Sequence, residues 1–270
     1  MPGAKRRENP TSVVQEKQDE WAWQWSHFED DSRWLFSEWI RPLEIEDFRE
    51  KTVLDCGCGG GQHLSFVAPV CRRAVGVDLN AIAIASERTR SFDNVELIEA
   101  DLADLDLDER FDITYSIGVL HHTDDPTRSF EVVKRHCRPG GRVAVWVYSH
   151  EGNFLNRTLV ESAKRLFLHK LSRSAIRTLA HVLTALVYVP VHTVYRLPIR
   201  FAPYYEYFCN WRKLPYRRNL LNVFDKLNAP QTHFITRSQV ESWFAHGFEN
   251  VHITPYKGVS WRASGTKESE

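Results

Sequence analysis

The sequence has no excess charge of either sign, no disulfide framework, no secretory signal and no long apolar run. Lys and Arg total 35, as do Asp and Glu, so the zero net charge gives no support for nucleic-acid binding. Five cysteines without framework spacing favour reduced thiols in a cytoplasm. The first residues are polar and lack the apolar core of a signal peptide. The longest apolar run, 180–191, is shorter than the about 20 residues that span a bilayer.

Between residues 51 and 148, segments with the pattern of strands alternate with segments with the pattern of helices. The predicted strands lie at residues 51–57, 73–80, 94–102, 111–120 and 142–148. Such alternation is typical of a parallel sheet covered by helices on both faces, whose strands all end at one edge where ligands bind. Residues 250–256 and 259–264 predict two further strands in an antiparallel hairpin.

The composition divides the chain into three predicted parts. Residues 1–45 form a polar tail and a tryptophan-rich helical cap, residues 46–150 together with 231–265 form the sheet core, and residues 151–230 form a helical insert. The insert holds 13 Lys and Arg against 4 Asp and Glu, a net charge of +9, and we expect it to form a lid over the strand ends. Its basic, apolar helices fit either a solvated lid or a surface that meets anionic lipid or an acidic acceptor.

The segment VLDCGCGGGQHL, residues 53–64, matches neither of the common phosphate-binding motifs. A dinucleotide motif would need a third glycine where Gln62 stands, and no Gly-Lys-Ser/Thr follows. Cys56 and Cys58 lack the spacing of a zinc or redox pair. Glycines without a Cβ let a ligand lie against the backbone, and the Asp55 carboxylate would repel a pyrophosphate. The segment therefore favours a positively charged ligand such as S-adenosylmethionine, which has a sulfonium and an ammonium group.

Two further acidic residues follow the next two strands. Asp78 can accept hydrogen bonds from both ribose hydroxyls of an adenosine, and Leu79 can cover the adenine. Asp101 can accept a hydrogen bond from the adenine amino group, while the backbone of Leu102 contacts the ring edge. Because parallel strands end at one edge of a sheet, we expect Asp55, Asp78 and Asp101 to surround one ligand.

The chain resembles the class I S-adenosylmethionine-dependent methyltransferases, particularly the type-11 methyltransferase domain of small-molecule and quinone methylases. The motifs that carry the resemblance occur in the family's order: VLDCGCGGG, GVDLN, EADLADL, FDITYSIGVLHHTDDP and HCRPGGRVAVWVY. The resemblance implies an α/β fold with a Rossmann-like, seven-stranded, mostly parallel sheet whose last strand is antiparallel, to which this chain adds the helical N-terminal cap and the helical insert. It also implies S-adenosylmethionine as the cofactor, bound by Asp55, Gly57, Cys58, Gly59, Asp78, Leu79, Asp101, Leu102, Ser116 and Ile117.

Methyl transfer from a sulfonium is an in-line displacement, and a base is needed only when the acceptor must lose a proton. The candidates for this base follow the fourth and fifth strands: His121, His122, Tyr148 and His150. Alternatively, the segment LHHTDDP is a structural turn that caps the next helix. No set of His, Asp and Glu has the spacing of a metal site.

The sequence thus predicts a cytoplasmic enzyme, with peripheral attachment to a membrane as an alternative, that methylates a small molecule: an aromatic compound, a sugar or a lipid-linked intermediate. No nucleic-acid partner is expected, and the basic insert is the candidate surface for a lipid-linked substrate or a membrane. Two alternatives remain open, an NAD(P)-binding oxidoreductase of similar topology and a non-catalytic subunit that binds the cofactor. The discriminating observation is whether the chain binds S-adenosylmethionine or NADH, and whether a methylated product forms.

Overall fold

The computed structural model describes residues 21–28 and 33–269, in which seven strands form one sheet with the spatial order β3-β2-β1-β4-β5-β7-β6. The strands are β1 Thr52–Cys56, β2 Arg73–Asp78, β3 Val95–Glu99, β4 Phe111–Ile117, β5 Cys137–Tyr148, β6 Phe248–Tyr256 and β7 Ser260–Lys267. β1 to β5 pair in parallel, whereas β7 runs antiparallel to both β5 and β6. The predicted Rossmann-like sheet with an antiparallel last strand is confirmed.

Helices cover both faces of this sheet and the edge where the parallel strands end. Within the described residues α1 covers 21–27, and the later helices are α2 Arg33–Trp39, α3 Gln62–Val67, α4 Ile82–Thr89, α5 Pro126–Arg135, α6 Glu161–Leu166, α7 Arg173–His192, α8 Tyr205–Trp211, α9 Tyr216–Asn228 and α10 Arg237–Trp243. α5 shows how the sequence sets a boundary. The Asp125 side chain accepts hydrogen bonds from two backbone N–H groups of the first turn, and Pro126 occupies the first helical position, where no N–H partner is needed.

The middle of the sheet is buried on both faces, because helices pack against each of them. All five residues of β1 are buried. Successive side chains of a strand point to opposite faces, so that Leu54 and Cys56 pack in the layer beneath α5 and α10, and Val53 packs in the layer beneath α2 and α3. The same alternation places the Asp55 side chain on the same face of the sheet as Val53.

The N-terminal cap connects the sheet to the insert. Phe36 of α2 packs in the sheet core, whereas Phe28, which follows α1, packs with Phe224 of α9 in a separate apolar core inside the insert. Residues 1–20 of the predicted tail, and 29–32 within the cap, lie outside the described residues. The limits proposed for the three parts of the chain stay a prediction.

The insert folds as helices α6 to α9 around its own apolar core, with a π-helical turn at Asn156–Val160. By length and composition alone α7 is apolar enough to cross a membrane, although the apolar run within it is shorter than a span. One side of α7 is nevertheless committed to the protein, because Ile176, Ala180 and Thr184 are buried and α7 packs along α9. Its opposite side is exposed.

Candidate cofactor and acceptor site

A cavity of about 480 Å³ lies where β1, β2, β4 and β5 end, beneath α1, α2 and the insert. Its wall contains most of the residues that the sequence assigns to cofactor binding. Those that line it are Gly57, Cys58, Gly59, Asp78, Leu79, Asp101, Leu102 and Ile117. One cavity therefore joins the ends of three successive strands, as the sequence predicts for an adenosine-containing ligand.

The glycine turn after β1 forms a bare stretch of backbone in this wall. Gly57 and Gly59 have φ values of +91° and +52°, in the region that favours glycine. A Cβ on Gly57 would lie 2.4 Å from the side chain of Val119, and one on Gly59 would lie 2.8 Å from the indole of Trp25. The turn is held in place by Gly57 N–H and Cys58 N–H, which both donate to the Val77 carbonyl at 2.8 and 2.9 Å. Glycine is required here by both conformation and space.

Asp78 ties the end of β2 to the glycine turn. Its Oδ2 accepts a hydrogen bond from Gly59 N–H at 2.9 Å, and its Oδ1 accepts from the N–H groups of Asn80 and Ala81 at 3.2 and 3.1 Å. Burial raises the pKa of Asp78, and these backbone donors oppose that rise. The carboxylate is thereby held at the cavity wall, beside the Asn80 side chain, whose buried Nδ2 has no hydrogen-bond partner among the described residues.

The end of β3 contributes a less enclosed part of the wall. Asp101 is exposed, and its Oδ1 accepts a hydrogen bond from Ala103 N–H at 2.9 Å, which caps a short 3-10 turn at Leu102–Asp104. Leu102 is buried, and both residues line the cavity. The predicted adenine edge thus has a fixed apolar contact and a carboxylate with one oxygen free of the cap.

Asp55 and Ser116 lie behind the wall, which differs from the prediction that both line the cofactor site. Asp55 is fully buried on the inner side of β1 and accepts a hydrogen bond from the Tyr115 hydroxyl at 3.0 Å. Burial raises its pKa well above the usual range, against the lowering effect of the Tyr115 hydrogen bond. The Ser116 hydroxyl donates to the Cys56 carbonyl at 2.8 Å. Neither side chain lines the cavity, because Asp55 is held inside the sheet core by Tyr115 and Ser116 is held by the last residue of β1.

His122 is the candidate base whose position fits the role. It lines the cavity, and its Nδ1 lies 2.8 Å from the carbonyl oxygen of Gln231. Because a carbonyl only accepts hydrogen bonds, Nδ1 carries the proton and Nε2 is left as an acceptor. Burial lowers the pKa of His122, and the nearby Asp225 and the Gln231 carbonyl oppose this only in part. The ring is therefore neutral at pH 7.

His121 and His150, the other two candidate histidines, do not line the cavity. His121 is fully buried, and neither ring nitrogen has a hydrogen-bond partner among the described residues. Burial, together with the charge of His122, lowers its pKa well below the usual value. His150 is exposed, and its backbone N–H donates to the Ile235 carbonyl at the side of the sheet. The prediction of a catalytic role is not supported for either residue, because neither reaches the site.

Tyr148 lines the cavity but is held as a hydrogen-bond donor. Its hydroxyl donates to Asp225 Oδ2 at 2.9 Å. Burial and the neighbouring Asp225 carboxylate raise the pKa of Tyr148 well above its usual value. The phenol therefore stays protonated at neutral pH, and its predicted role as a base is replaced by one of positioning.

The insert adds charged groups that the sequence analysis does not single out. Asp225 of α9 accepts from Tyr148 and, at 3.3 Å, from the Gln24 side chain of α1. The Lys226 ammonium donates to the Tyr207 hydroxyl at 3.1 Å and lies 5.5 Å from the centre of the Tyr148 ring. Both α9 residues line the cavity. Their only signal in the sequence is a polar pair within an amphipathic helix, which is also typical of a solvated surface.

Aromatic rings make up much of the cavity wall. The cavity is lined by Trp21, Trp25, Trp39, Trp146, Tyr207 and Trp211. Trp39 and Trp146 lie with ring centres 4.7 Å apart, and Trp21 lies at the same distance from His122. The tryptophans of the N-terminal cap therefore border the cavity.

Residues 54–145 match the model of a family described as "Methyltransferase domain". Among curated relatives, a ubiquinone biosynthesis O-methyltransferase of Hydrogenovibrio crunogenus is 31% identical over 120 residues, which cover 40% of this chain and 48% of the relative. A tRNA U34 carboxymethyltransferase of Pseudoalteromonas translucida is 31% identical over 130 residues, covering 46% of this chain and 40% of the relative. The chain thus spans less than half the length of these relatives.

A comparison with solved structures extends the likeness of the fold beyond the matched domain. The Burkholderia thailandensis 1,6-didemethyltoxoflavin-N1-methyltransferase, solved with 1,6-didemethyltoxoflavin and S-adenosylhomocysteine, aligns with a TM-score of 0.53. The alignment covers 99% of this chain and 94% of that one at 14% identity. At this identity the likeness concerns the fold, and the cap and insert fall within it.

Proposed function

We propose that this protein transfers a methyl group from S-adenosylmethionine to a small molecule bound in the cavity, since residues 54–145 match the model of a methyltransferase domain. S-adenosylmethionine is the cofactor of the domain. The observation that carries the proposal is the single cavity that joins the glycine turn to a wall of aromatic and charged side chains. The domain also disfavours the alternative of an NAD(P)-dependent oxidoreductase, which the missing third glycine already opposes.

The residues present fit the donor. Gly57 and Gly59 line the cavity without side chains, so a ligand in the cavity can contact the backbone of the turn, while Val119 and Trp25 fill the space on their Cβ sides. Asp78 is fixed at the adjacent wall and can accept hydrogen bonds from ribose hydroxyls, while the unpartnered Nδ2 of Asn80 offers a donor. When bound, S-adenosylmethionine supplies an electrophilic methyl group on a sulfonium sulfur.

The acceptor side of the cavity favours a planar molecule that carries a polar group. The rings of Trp39, Trp146 and Trp211 provide flat apolar contacts, and such contacts orient aromatic ligands. Asp225 and Lys226 provide one charge of each sign at the same wall. The names of the relatives include both ubiquinone biosynthesis and tRNA modification. A cavity of about 480 Å³ under a lid favours a free small molecule over a polynucleotide.

His122 accepts the proton when the methyl acceptor is a phenol, an alcohol or an activated carbon. Its Nε2 is the available lone pair, since Nδ1 is occupied by the Gln231 carbonyl, and its lowered pKa keeps that lone pair unprotonated at neutral pH. The Tyr148 hydroxyl donates a hydrogen bond to Asp225, which fixes the ring so that it shapes the neighbouring part of the pocket. Placement of the acceptor in line with the methyl group, in a site closed to water, accounts for the main part of the acceleration, for which positioning can supply about 7–11 kcal/mol.

The test is to incubate the full chain with S-adenosylmethionine labelled in its methyl group and three cell fractions: small water-soluble molecules, extracted lipids, and tRNA. Product masses then identify the acceptor. Label in a small molecule, in either of the first two fractions, supports the proposal, whereas label only in tRNA contradicts the acceptor class. Donor binding without product in any fraction supports the alternative of a non-catalytic subunit.

The donor site is tested separately by calorimetry. Asp78→Ala removes the carboxylate at the ribose position, and we expect affinity for S-adenosylmethionine to fall at least tenfold, the effect of about 1.4 kcal/mol, in the range of a hydrogen bond to a charged group. Asp108→Ala, an exposed acidic residue away from the cavity, is the matched control. Equal affinities for the two variants would contradict the assignment of the donor site.

A further inference from the structure

The insert carries nearly all of the exposed large apolar side chains in the described residues. Thirteen of the fifteen lie within 151–230, and the other two are Trp34 and Val251. Scattered exposed apolar residues are ordinary on a protein surface, whereas a concentration of them in one part marks an interaction surface. Packing inside the protein does not explain these exposed apolar side chains, which indicates that the outer face of the insert has a function.

Helix α7 shows that these side chains share one face. Val182, Leu186 and Val189 follow the spacing i, i+4, i+7, which places them on one side of a helix. Leu186 and Val189 are 65% and 67% exposed, whereas the opposite side of α7 is buried in the insert core. α7 is thus amphipathic, with a second apolar side that no described residue covers.

The turn and helix before α7 repeat this arrangement. Leu155, Leu159 and Leu166, at the spacing i, i+4 and i+11, are all exposed, whereas Val160 and Ala163 face the insert core. The loop that follows α7 contacts the start of this segment. The backbone N–H of Leu155 donates to the Tyr204 hydroxyl at 3.3 Å, and Tyr204 lies on the same loop as Phe201, which is 91% exposed.

The charge of the insert, together with two arginines on this face, indicates the partner. The insert has a net charge of +9, so the rest of the zero-charge chain has −9. Arg196 and Arg200 are exposed, alternate with the exposed Leu197 and Phe201, and make no ion pair with a described residue. Apolar side chains interspersed with unpaired arginines are typical of helices that lie in the interface of an anionic bilayer. The opposite charge of the remaining chain would turn that part away from the membrane.

We propose that the outer face of the insert, formed by the exposed side of α7, the 154–167 segment and the 194–201 loop, docks on an anionic phospholipid bilayer. The helices lie on the membrane and do not cross it, because their inner sides are buried against α9 and the insert core.

The docking face and the cavity share one wall. Asn153 and Asn156 line the cavity, and the residues between them, Phe154 and Leu155, are exposed on the docking face. Tyr204 lines the cavity from the loop that carries Phe201. An acceptor carried in a bilayer would therefore enter beside the membrane surface, so the class of acceptor, given the proposed function, is an amphiphile with a methylatable head group.

The test is flotation of the full chain with vesicles of pure phosphatidylcholine and of phosphatidylcholine with 30 mol% phosphatidylglycerol, a composition on the order of the anionic content that attracts basic surfaces. We expect binding to the anionic vesicles and weak binding to the neutral ones. Arg196→Gln with Arg200→Gln should weaken anionic binding about 25-fold, from roughly fivefold for each arginine near such a surface.

The apolar part of the face is tested with Leu186→Ser and Val189→Ser together, which should lower binding at least about tenfold because both side chains are then too polar to enter the interface. Val251→Ser on β6, an exposed apolar residue outside the insert, is the matched control and should bind as the unaltered chain does. Absence of binding to anionic vesicles, or binding that the four substitutions leave unchanged, would overturn the proposal.

Two further measurements separate this proposal from its alternatives. If the face is instead an interface between two copies, the unaltered chain is a dimer by light scattering and the Leu186→Ser, Val189→Ser chain is a monomer, which also overturns membrane docking. Calorimetric binding of S-adenosylmethionine is measured on the same variants. Retained donor binding with lost vesicle binding supports docking, whereas vesicle binding without donor binding would leave docking intact and refute the proposed methyl transfer.

Discussion

Gly57→Ala should be among the most damaging small substitutions in this protein, for two reasons that can be measured apart. The φ of +91° is costly for any residue with a Cβ, by about 1–3 kcal/mol. The added methyl would also lie 2.4 and 2.5 Å from the two methyl groups of Val119, and overpacking of this kind costs about 1–3 kcal/mol. We expect the free energy of unfolding to fall by about 2–6 kcal/mol.

A double-mutant cycle with Val119→Ala separates the two costs, with unfolding in urea as the assay. Val119→Ala removes the two methyl groups nearest the new Cβ and leaves the residue-119 Cβ at 2.9 Å, so the combined variant should recover most of the about 1–3 kcal/mol of overpacking, while the backbone cost remains. Additivity within about 0.5 kcal/mol would refute the overlap read from the structure. Donor affinity should stay low in the combined variant, because the backbone conformation of the turn remains altered.

Three other substitutions test the roles assigned around the cavity. His122→Gln should lower kcat about 10²–10⁴-fold with an acceptor that must lose a proton. In the unaltered chain the rate should stay level as pH falls past 6.5, because burial lowers the pKa of His122 and keeps the base neutral below that value. A decline in rate centred at or above pH 6.5 would contradict this. Tyr148→Phe should cost no more than about tenfold in kcat/KM, since one hydrogen bond contributes about 0.5–1.5 kcal/mol, whereas a loss of a thousandfold would restore Tyr148 as the base. Burial raises the pKa of Asp55, so its contribution to the free energy of unfolding is complete below the unfolded pKa near 3.8 and is lost as pH rises through the folded pKa. Asp55→Asn should therefore flatten the decline of the urea midpoint with rising pH, and an unchanged slope would contradict the assignment.

The sheet could be predicted from the sequence because its rules are local. Strand patterns alternate with helical patterns, and consecutive glycines mark the turn after β1. Residues at a strand end, such as Asp78 and Leu79, could be predicted to lie on the cavity wall for the same reason. The face of the sheet to which a residue inside a strand points could not be predicted from these local patterns. Asp55 and Ser116 each lie one residue before the end of their strand, β1 and β4, and the structure holds both side chains inside the sheet core.

The acceptor side could not be predicted because distant parts of the chain build it. Asp225 and Lys226 reach Tyr148 only through the fold of the insert, and nothing in their local pattern separates them from a solvated helix surface. Gln231 fixes the ring of His122 from more than a hundred residues away. The four candidate bases share one sequence pattern, and they are distinguished by the Gln231 contact to His122, the Asp225 contact to Tyr148, the burial of His121 and the exposure of His150.

The position of β7 between β5 and β6 has a consequence for how the protein is made. β5 pairs on one side with β4 and on the other only with β7, and residues 260–267 are synthesised long after residues 137–148. At about 5–20 residues per second, the ribosome leaves the free edge of β5 without its neighbour for roughly 5–20 seconds. Nascent chains during that interval expose a row of unsatisfied backbone groups, which is the kind of surface that chaperones shield.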